Sequence, residues 1–152
     1  MKALVFHIGA DRYGLPLAVL NRVLPAAALK ALPLAAPFVA GLLDLHGEPV
    51  PVIDLARLAG LSLGQVWFDT RIVLVDYPLP GRPETRLLGL LAEHVTGIVS
   101  IDEAKLAEPG VASAPFLGRV ASTPDGLLQL LELDGLLGAE VRAQLFPDAG
   151  QP

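Results

Sequence analysis

Apolar residues come in short runs, each ended by a glycine, a proline or a charged residue. Ala3 to Ile8 is one such run and reads as a strand. Gly9-Ala10-Asp11-Arg12 reads as a turn, and Tyr13 to Leu17 resumes extended structure. Ala18 to Leu24 is too short for periodicity to separate helix from strand. Pro25, Pro33 and Pro37 cut the next stretch into short extended pieces. Phe38 to His46 and Val50 to Ile53 read as a hairpin across His46-Gly47-Glu48, where glycine turns without steric cost. Asp54 closes the second strand and is placed to cap a short amphipathic helix, Leu55 to Leu61, that stops at Gly60.

The rest of the chain keeps this rhythm. Leu63 to Asp69 reads as loop. Arg71 to Val75 is a β-branched run of the kind found in buried strands. Pro78, Pro80, Gly81 and Pro83 mark a surface loop. Leu87 to Ala92 and Val95 to Ile101 read as two strands, followed by one helical turn, Asp102 to Leu106, with an acidic start. Gly118 to Ser122 and Leu127 to Leu133 pair across Pro124-Asp125-Gly126. Gly135 to Phe146 reads as a helix capped by Asp134.

One internal echo organises these pieces. Ile53-Asp54-Leu55, with Leu58 and Gly60 after it, resembles Leu131-Glu132-Leu133, with Leu136 and Gly138 after it. Each follows an apolar strand and a glycine-containing turn. Many short strands with frequent turn residues predict an all-β fold with short helices, built as two related barrels. The expected domain is 3–146, with a boundary between barrels near 64–70, the N-terminal strand crossing between halves, and a tail over 147–152.

Composition narrows the function. Hydrophobic residues make up 53% and charged residues 18%, enough to fill a core and still leave apolar surface for a partner. The net charge of -5 argues against a nucleic-acid face. The chain has no cysteine, so no thiolate metal site or disulfide frame is available. The longest apolar run, Ala31 to Leu43, falls short of the roughly 20 residues of a membrane helix and contains two prolines. The N-terminus reads as a strand and not as a signal peptide, which points to the cytoplasm.

Catalytic and metal candidates are weak on inspection. Gly60-Leu61-Ser62-Leu63-Gly64 has the letters of a nucleophile elbow, with Asp76 and His94 following in a permissible order for a small serine hydrolase. The elbow requires a strand before the serine and a helix after it, and the pattern here is the reverse. Asp44, His46 and Glu48 alternate and would share a strand face, a set that suits a divalent metal but fits a solvated hairpin face better. His7 and His94 lack a cluster, Glu84-Thr85-Arg86 and Arg142 read as solvated surface, and no glycine-rich phosphate loop follows any strand. No catalytic residue, metal or cofactor is expected.

The hairpin block carries a resemblance. Pro37-Phe38, Gly41, Leu45-His46-Gly47 and Pro51-Val52-Ile53-Asp54-Leu55 are similar to the hallmark of the CheW-like family of chemotaxis coupling proteins. That hallmark is Pro-Phe, Gly, Asn-Leu-Arg-Gly and Pro-Val-x-Asp-Leu. Support comes from Phe6, Tyr13-Gly14, Arg71 to Val75, Leu88 to Leu91 and Leu130 to Leu137, so the likeness spans about Ala3 to Leu145. It implies two five-stranded β-barrels around a shared apolar interior and a non-enzymatic adaptor. The implied partners are a CheA-type histidine kinase and the cytoplasmic tip of a methyl-accepting chemoreceptor, with no nucleic acid and no direct membrane insertion.

By the same resemblance, the receptor groove would involve Arg22, Val23, His46 and Gly47 from the first half, with Val95, Ile98 and Gly118 from the second. The hairpin around Gly41, Leu43, Val50 and Val52 would be a kinase surface. The family carries glutamate where Arg22 stands and arginine where His46 stands, which implies a divergent receptor. The second half is more similar to WspB-like couplers of surface-sensing systems. The residues are Leu88 to Glu93, Ala114 to Gly118, Asp125 to Gln129 and Leu145-Phe146-Pro147. That subgroup implies an output through cyclic di-GMP and biofilm; flagellar or pilus chemotaxis is the other output open to the family.

Overall fold

The computed structural model describes residues 1–61, 70–111 and 114–147. The chain forms strands β1 (Lys2–Ile8), β2 (Asp11–Pro16), β3 (Leu20–Pro25), β4 (Val39–Leu45) and β5 (Glu48–Asp54). Helix α1 (Leu55–Leu58) follows, then β6 (Arg71–Pro78), β7 (Thr85–Ser100), β8 (Leu117–Thr123), β9 (Gly126–Leu131) and helix α2 (Ala139–Leu145). The ambiguous stretch after β2 divides into a 3-10 turn, Leu17–Val19, and β3.

β7 is the hinge of the architecture. Leu87 to Ala92 and Val95 to Ile101 read as separate strands in the sequence, yet β7 runs unbroken over 16 residues. Its first half pairs antiparallel with β6 and parallel with β5, and its second half pairs with β1. One five-stranded unit therefore reads β3-β6-β7-β5-β4 and the other β7-β1-β2-β9-β8. The change of partner falls between Ala92, which pairs with Arg71, and Glu93, which pairs with His7; the φ of 48° at the next residue, His94, and the register shift between Val5 and His7 mark an irregularity at this point. Of the expected boundary near 64–70, residues 62–69 lie outside the described residues; β3 pairs with β6, so strands on either side of it belong to one unit. Both N-terminal strands join the second unit, next to β7 and β9.

Each unit closes on itself in the same way. Lys30, just after β3, bridges Leu42 of β4 through two backbone hydrogen bonds of 2.9 and 2.8 Å. Ala107, after β7, bridges Val120 of β8 through bonds of 2.9 and 2.8 Å. The repeat seen in the letters extends further. Asp54 N–H donates to the Phe38 carbonyl and Glu132 N–H to the Phe116 carbonyl, both at 2.8 Å. Val39 N–H donates to Ala36 and Leu117 N–H to Ala114. Ala36-Pro37-Phe38 and Ala114-Pro115-Phe116 thus play one role at equal spacing from Asp54 and Glu132.

Side chains alternate into three cores. Leu43, Val50, Val52, Ile72 and Leu74 fill the first unit, and Ala3, Val5, Ile101, Ala121, Leu128 and Leu130 fill the second. The largest core lies between the units and takes Leu4, Phe6, Ile53, Val73, Val75, Tyr77, Leu88 and Leu90. Ile72 and Val73, or Ala3 and Leu4, thus face opposite cores, which is why β1 and β6 are apolar at successive positions. Burying one such side chain stabilises by about 1.5–3 kcal/mol.

The C-terminal segment departs from the single helix expected over Gly135 to Phe146. A 3-10 turn covers Leu133–Gly135, and α2 begins after Gly138, which stands as N-cap with no side-chain hydrogen bond. Asp134 lies inside the 3-10 turn and caps nothing. Leu136 and Leu137 are drawn into the shared core, which the intervening bend allows. Phe146 then stacks on Tyr77 at 5.8 Å, with the Arg86 guanidinium 5.8 Å from its ring centroid. Arg86 and Arg142 are half-buried, not solvated as expected.

Candidate functional site

The partner-binding candidates divide by burial. Arg22 and Val23 are exposed on β3, opposite Leu74 and Val73 of β6. Neighbouring strand residues point to opposite faces, so exposure of both marks β3 as open on each side. Arg22 Nε donates to Asn21 Oδ1 at 3.1 Å, and Asn21 Nδ2 donates to Asp76 Oδ1 at 3.2 Å. A polar chain therefore runs along one edge, beside the apolar Val23, which is 37% exposed.

His46 and Gly47 form the tip of the β4–β5 hairpin. Leu45 pairs with Glu48, and the two residues between have φ of 51° and 90°, the signs of a type I′ turn. The Asp44 carboxylate accepts from Gly47 N–H at 2.7 Å and holds the turn. The turn takes His46 off the strand, so the alternation of Asp44, His46 and Glu48 does not place the three side chains on one strand face. Among the described residues, no group of three or more His, Asp or Glu is placed to hold a metal.

From β7 the candidates separate. Burial alternates from Val95 to Ser100, with Val95 against the shared core and Ile98 outward at 58% exposure. A spacing of three on a strand puts them on opposite faces, so Val95 does not line a surface with Ile98. Gly118 is buried: a Cβ there would meet Glu132 Oε1 at 2.5 Å, and its carbonyl accepts from Gln129 Nε2 at 3.1 Å. The exposed members of the set are Arg22, Val23, His46, Gly47 and Ile98.

The kinase candidates lie on the inner side of the hairpin. Leu43, Val50 and Val52 are 6%, 1% and 0% exposed inside the first core, and Gly41 is buried against the Lys30 carbonyl. The strand alternation that makes this hairpin apolar turns those side chains inward. The outward positions of the same hairpin are Asp44, Glu48 and Pro49. Ser62 lies outside the described residues.

Asp54 performs the capping expected of it. Its Oδ1 accepts from the N–H groups of Ala56 at 3.0 Å and Arg57 at 3.4 Å. Reading of the sequence did not find the groove beside it, formed where Ala26-Ala27-Ala28 passes Pro37 and Ala40. The available signal was the run of small residues after Pro25, between strands of larger ones. Elsewhere burial, and secondly the Asp11 carboxylate, push the Tyr13 hydroxyl above its ordinary value of 10.0.

Two closed β units sharing one strand and one core, with apolar side chains left outward on the edge strand and on the shared strand, define a β-built interaction module. A model of the CheW-like domain matches residues 2–141, and the chain belongs to that family of non-enzymatic scaffold proteins. It is 20% identical over 151 residues to "Chemotaxis protein CheW" of Bacillus subtilis (strain 168), covering 97% of this chain and 93% of that one. It is 29% identical over 137 residues to "Protein FrzA" of Myxococcus xanthus, covering 87% and 82%. The fold is similar to that of the scaffolding protein TtCheW from Thermoanaerobacter tengcongensis, with a TM-score of 0.81 and 25% identity over 92% and 89% of the two chains. No helix among the described residues is long and apolar enough to cross a membrane.

Proposed function

We propose that this chain couples the cytoplasmic tip of a methyl-accepting chemoreceptor to a CheA-type histidine kinase, as a scaffold within a receptor array. The observation that carries the reading is the family match over nearly the whole chain, with the fold intact in both units. A helical receptor tip presents an apolar stripe, and Val23 and Ile98 offer exposed apolar side chains to receive one. Arg22 and His46 stand at polar positions and select among receptors, since a misplaced charge costs more than a matched one gains. The output we assign to a surface-sensing pathway acting through cyclic di-GMP, on the resemblance of the second half to WspB-like couplers.

The test is capture of receptor tips by the full chain. The double variant Arg22→Glu, His46→Arg should shift preference from the cognate tip toward a typical chemoreceptor tip. Unchanged capture of both removes these residues from the specificity argument. For the output, deleting the gene should change cyclic di-GMP; a swimming or twitching defect with unchanged cyclic di-GMP assigns the chain to flagellar or pilus chemotaxis instead.

A further inference from the structure

Two histidines meet where β7 leaves one unit for the other. His7 of β1 pairs across the ladder with Glu93 of β7, so those two side chains share a face. On a regular strand His94, one position on, would point to the opposite face. It instead meets His7: the two ring centroids lie 5.6 Å apart, at an interplanar angle of 89°. The backbone makes this contact possible. Between its pairings with Val5 and His7, β7 runs from Gly97 to Glu93, so it carries extra residues there, and His94 takes a φ of 48°. Extra residues of this kind re-aim a side chain, and a left-handed backbone away from glycine is unfavourable unless its surroundings hold it.

The donor chemistry of the pair is specific. His7 Nδ1 lies 3.3 Å from the His94 carbonyl. A carbonyl only accepts, so this hydrogen bond puts the ring proton on Nδ1 and leaves the lone pair on Nε2. Metal-bound histidines are held in the same way, with the second ring nitrogen tied to a carbonyl or carboxylate. An ion about 2.0–2.1 Å from one nitrogen of each ring, at a tetrahedral angle, sets the centroids roughly 5 Å apart. The observed spacing is close to that, and each ring can take any rotation about its own metal–nitrogen bond. Glu93 brings negative charge to the His7 face, and Arg12, the partner of His7 on β2, donates from Nη1 to Thr123 Oγ1 at 3.1 Å, outside the pair. Among the described residues no group of three His, Asp or Glu is formed, so two imidazoles are the protein's share of the coordination.

We infer that His7 and His94 form a binding site for a divalent transition-metal ion of the zinc class, with water in the remaining positions. Imidazole nitrogen selects that class, whereas magnesium and calcium take oxygen ligands. The ion ties β1 to the irregular point of β7 and so fixes the place where the strand passes between the units. The site shares no residue with the receptor and kinase candidates and does not depend on them.

The test is titration of the full chain, without a histidine tag, with zinc chloride in a non-chelating buffer, followed by calorimetry and by NMR of the imidazole nitrogens. One ion per chain is expected, with saturable shifts at His7 and His94, reversal by EDTA, and no response to magnesium. The chain has three histidines, so His46 serves as the internal control and should not shift in step with the pair. His7→Asn keeps a donor for the His94 carbonyl and removes the Nε2 ligand; His94→Asn suits the left-handed backbone and removes the other ring. Each should weaken zinc binding at least about tenfold, since even an outer-shell partner of a metal ligand is worth about 10–100-fold. Zinc should also raise the thermal midpoint of the unaltered chain and not of either variant. Absence of saturable binding, zinc shifts at His46 equal to those at the pair, or undiminished affinity in either variant would each overturn the inference and leave the bend at His94 to the change of strand partner alone. The ring shifts are read on the unaltered chain, so the first two outcomes stand even if a variant fails to fold.

Discussion

Gly89 lies where three strands meet, and its substitution measures how tightly they are packed. Val52 of β5 is its partner on one side and Leu74 of β6 on the other. A Cβ at Gly89 would stand 2.8 Å from Val52 Cγ2 and 3.1 Å from Ile72 Cγ2. Val52 and Ile72 are both 0% exposed, so neither can move aside into solvent. Overpacking of this kind costs about 1–3 kcal/mol. Alanine recovers roughly 0.5–1 kcal/mol of the backbone entropy that glycine loses in a strand. Gly89→Ala should therefore destabilise by about 1–2 kcal/mol. Val52→Ala removes both γ-methyl groups, at about 0.8 kcal/mol each plus a cavity contribution, for about 2–3 kcal/mol. In the double variant the methyl added at position 89 enters the space that Val52 vacates. The double variant should then be about as stable as Val52→Ala alone, a coupling of about 1–2 kcal/mol. Urea unfolding followed by circular dichroism reads these differences as midpoint shifts at constant slope. If the two single effects add to within about 0.5 kcal/mol, the contact does not limit packing and the reasoning fails.

Three further outcomes are expected. Gly135→Ala should destabilise by more than about 3 kcal/mol, because its methyl meets backbone at Pro115, whereas Gly138→Ser should stabilise α2 by a few tenths; equal midpoints for the two would contradict this. Leu34 is 99% exposed with φ of 67°, so Leu34→Gly removes about 1–2 kcal/mol of left-handed strain against about 0.5–1 of glycine entropy, and a lowered thermal midpoint would refute it. The raised Tyr13 ionisation favours the neutral phenol in the folded chain. Its stability contribution is present below the unfolded value near 10.0 and is lost as pH rises through the folded one. Phenolate absorbance in a Tyr77→Phe background should show late ionisation that Asp11→Asn brings earlier; ordinary ionisation of Tyr13 in that background would exclude the burial effect.

Much of the local structure is legible in the residues. The His46-Gly47 hairpin and the Asp54 cap follow from turn and capping chemistry within a few positions of chain. The family resemblance found the adaptor class, and the echo between Asp54 and Glu132 found the two-unit plan. The exposed candidates Arg22, Val23, His46 and Ile98 also kept their surface position.

The kind and order of elements are therefore written in the residues, because period, turn residues and caps act over a few positions. Which face of each strand meets which core is settled only by packing. Gly41, Leu43, Val50 and Val52 looked like a docking surface because an apolar strand reads alike whether its side chains face a partner or a core. β7 looked like two strands because its change of partner after Ala92 depends on β1 and β6, which lie far away in the chain. The groove beside Asp54 exists only where Ala26 to Ala28 pass Pro37 and Ala40, segments that meet only in the fold. Register, burial and void are set by pairings between distant segments, and no local pattern of side chains encodes them.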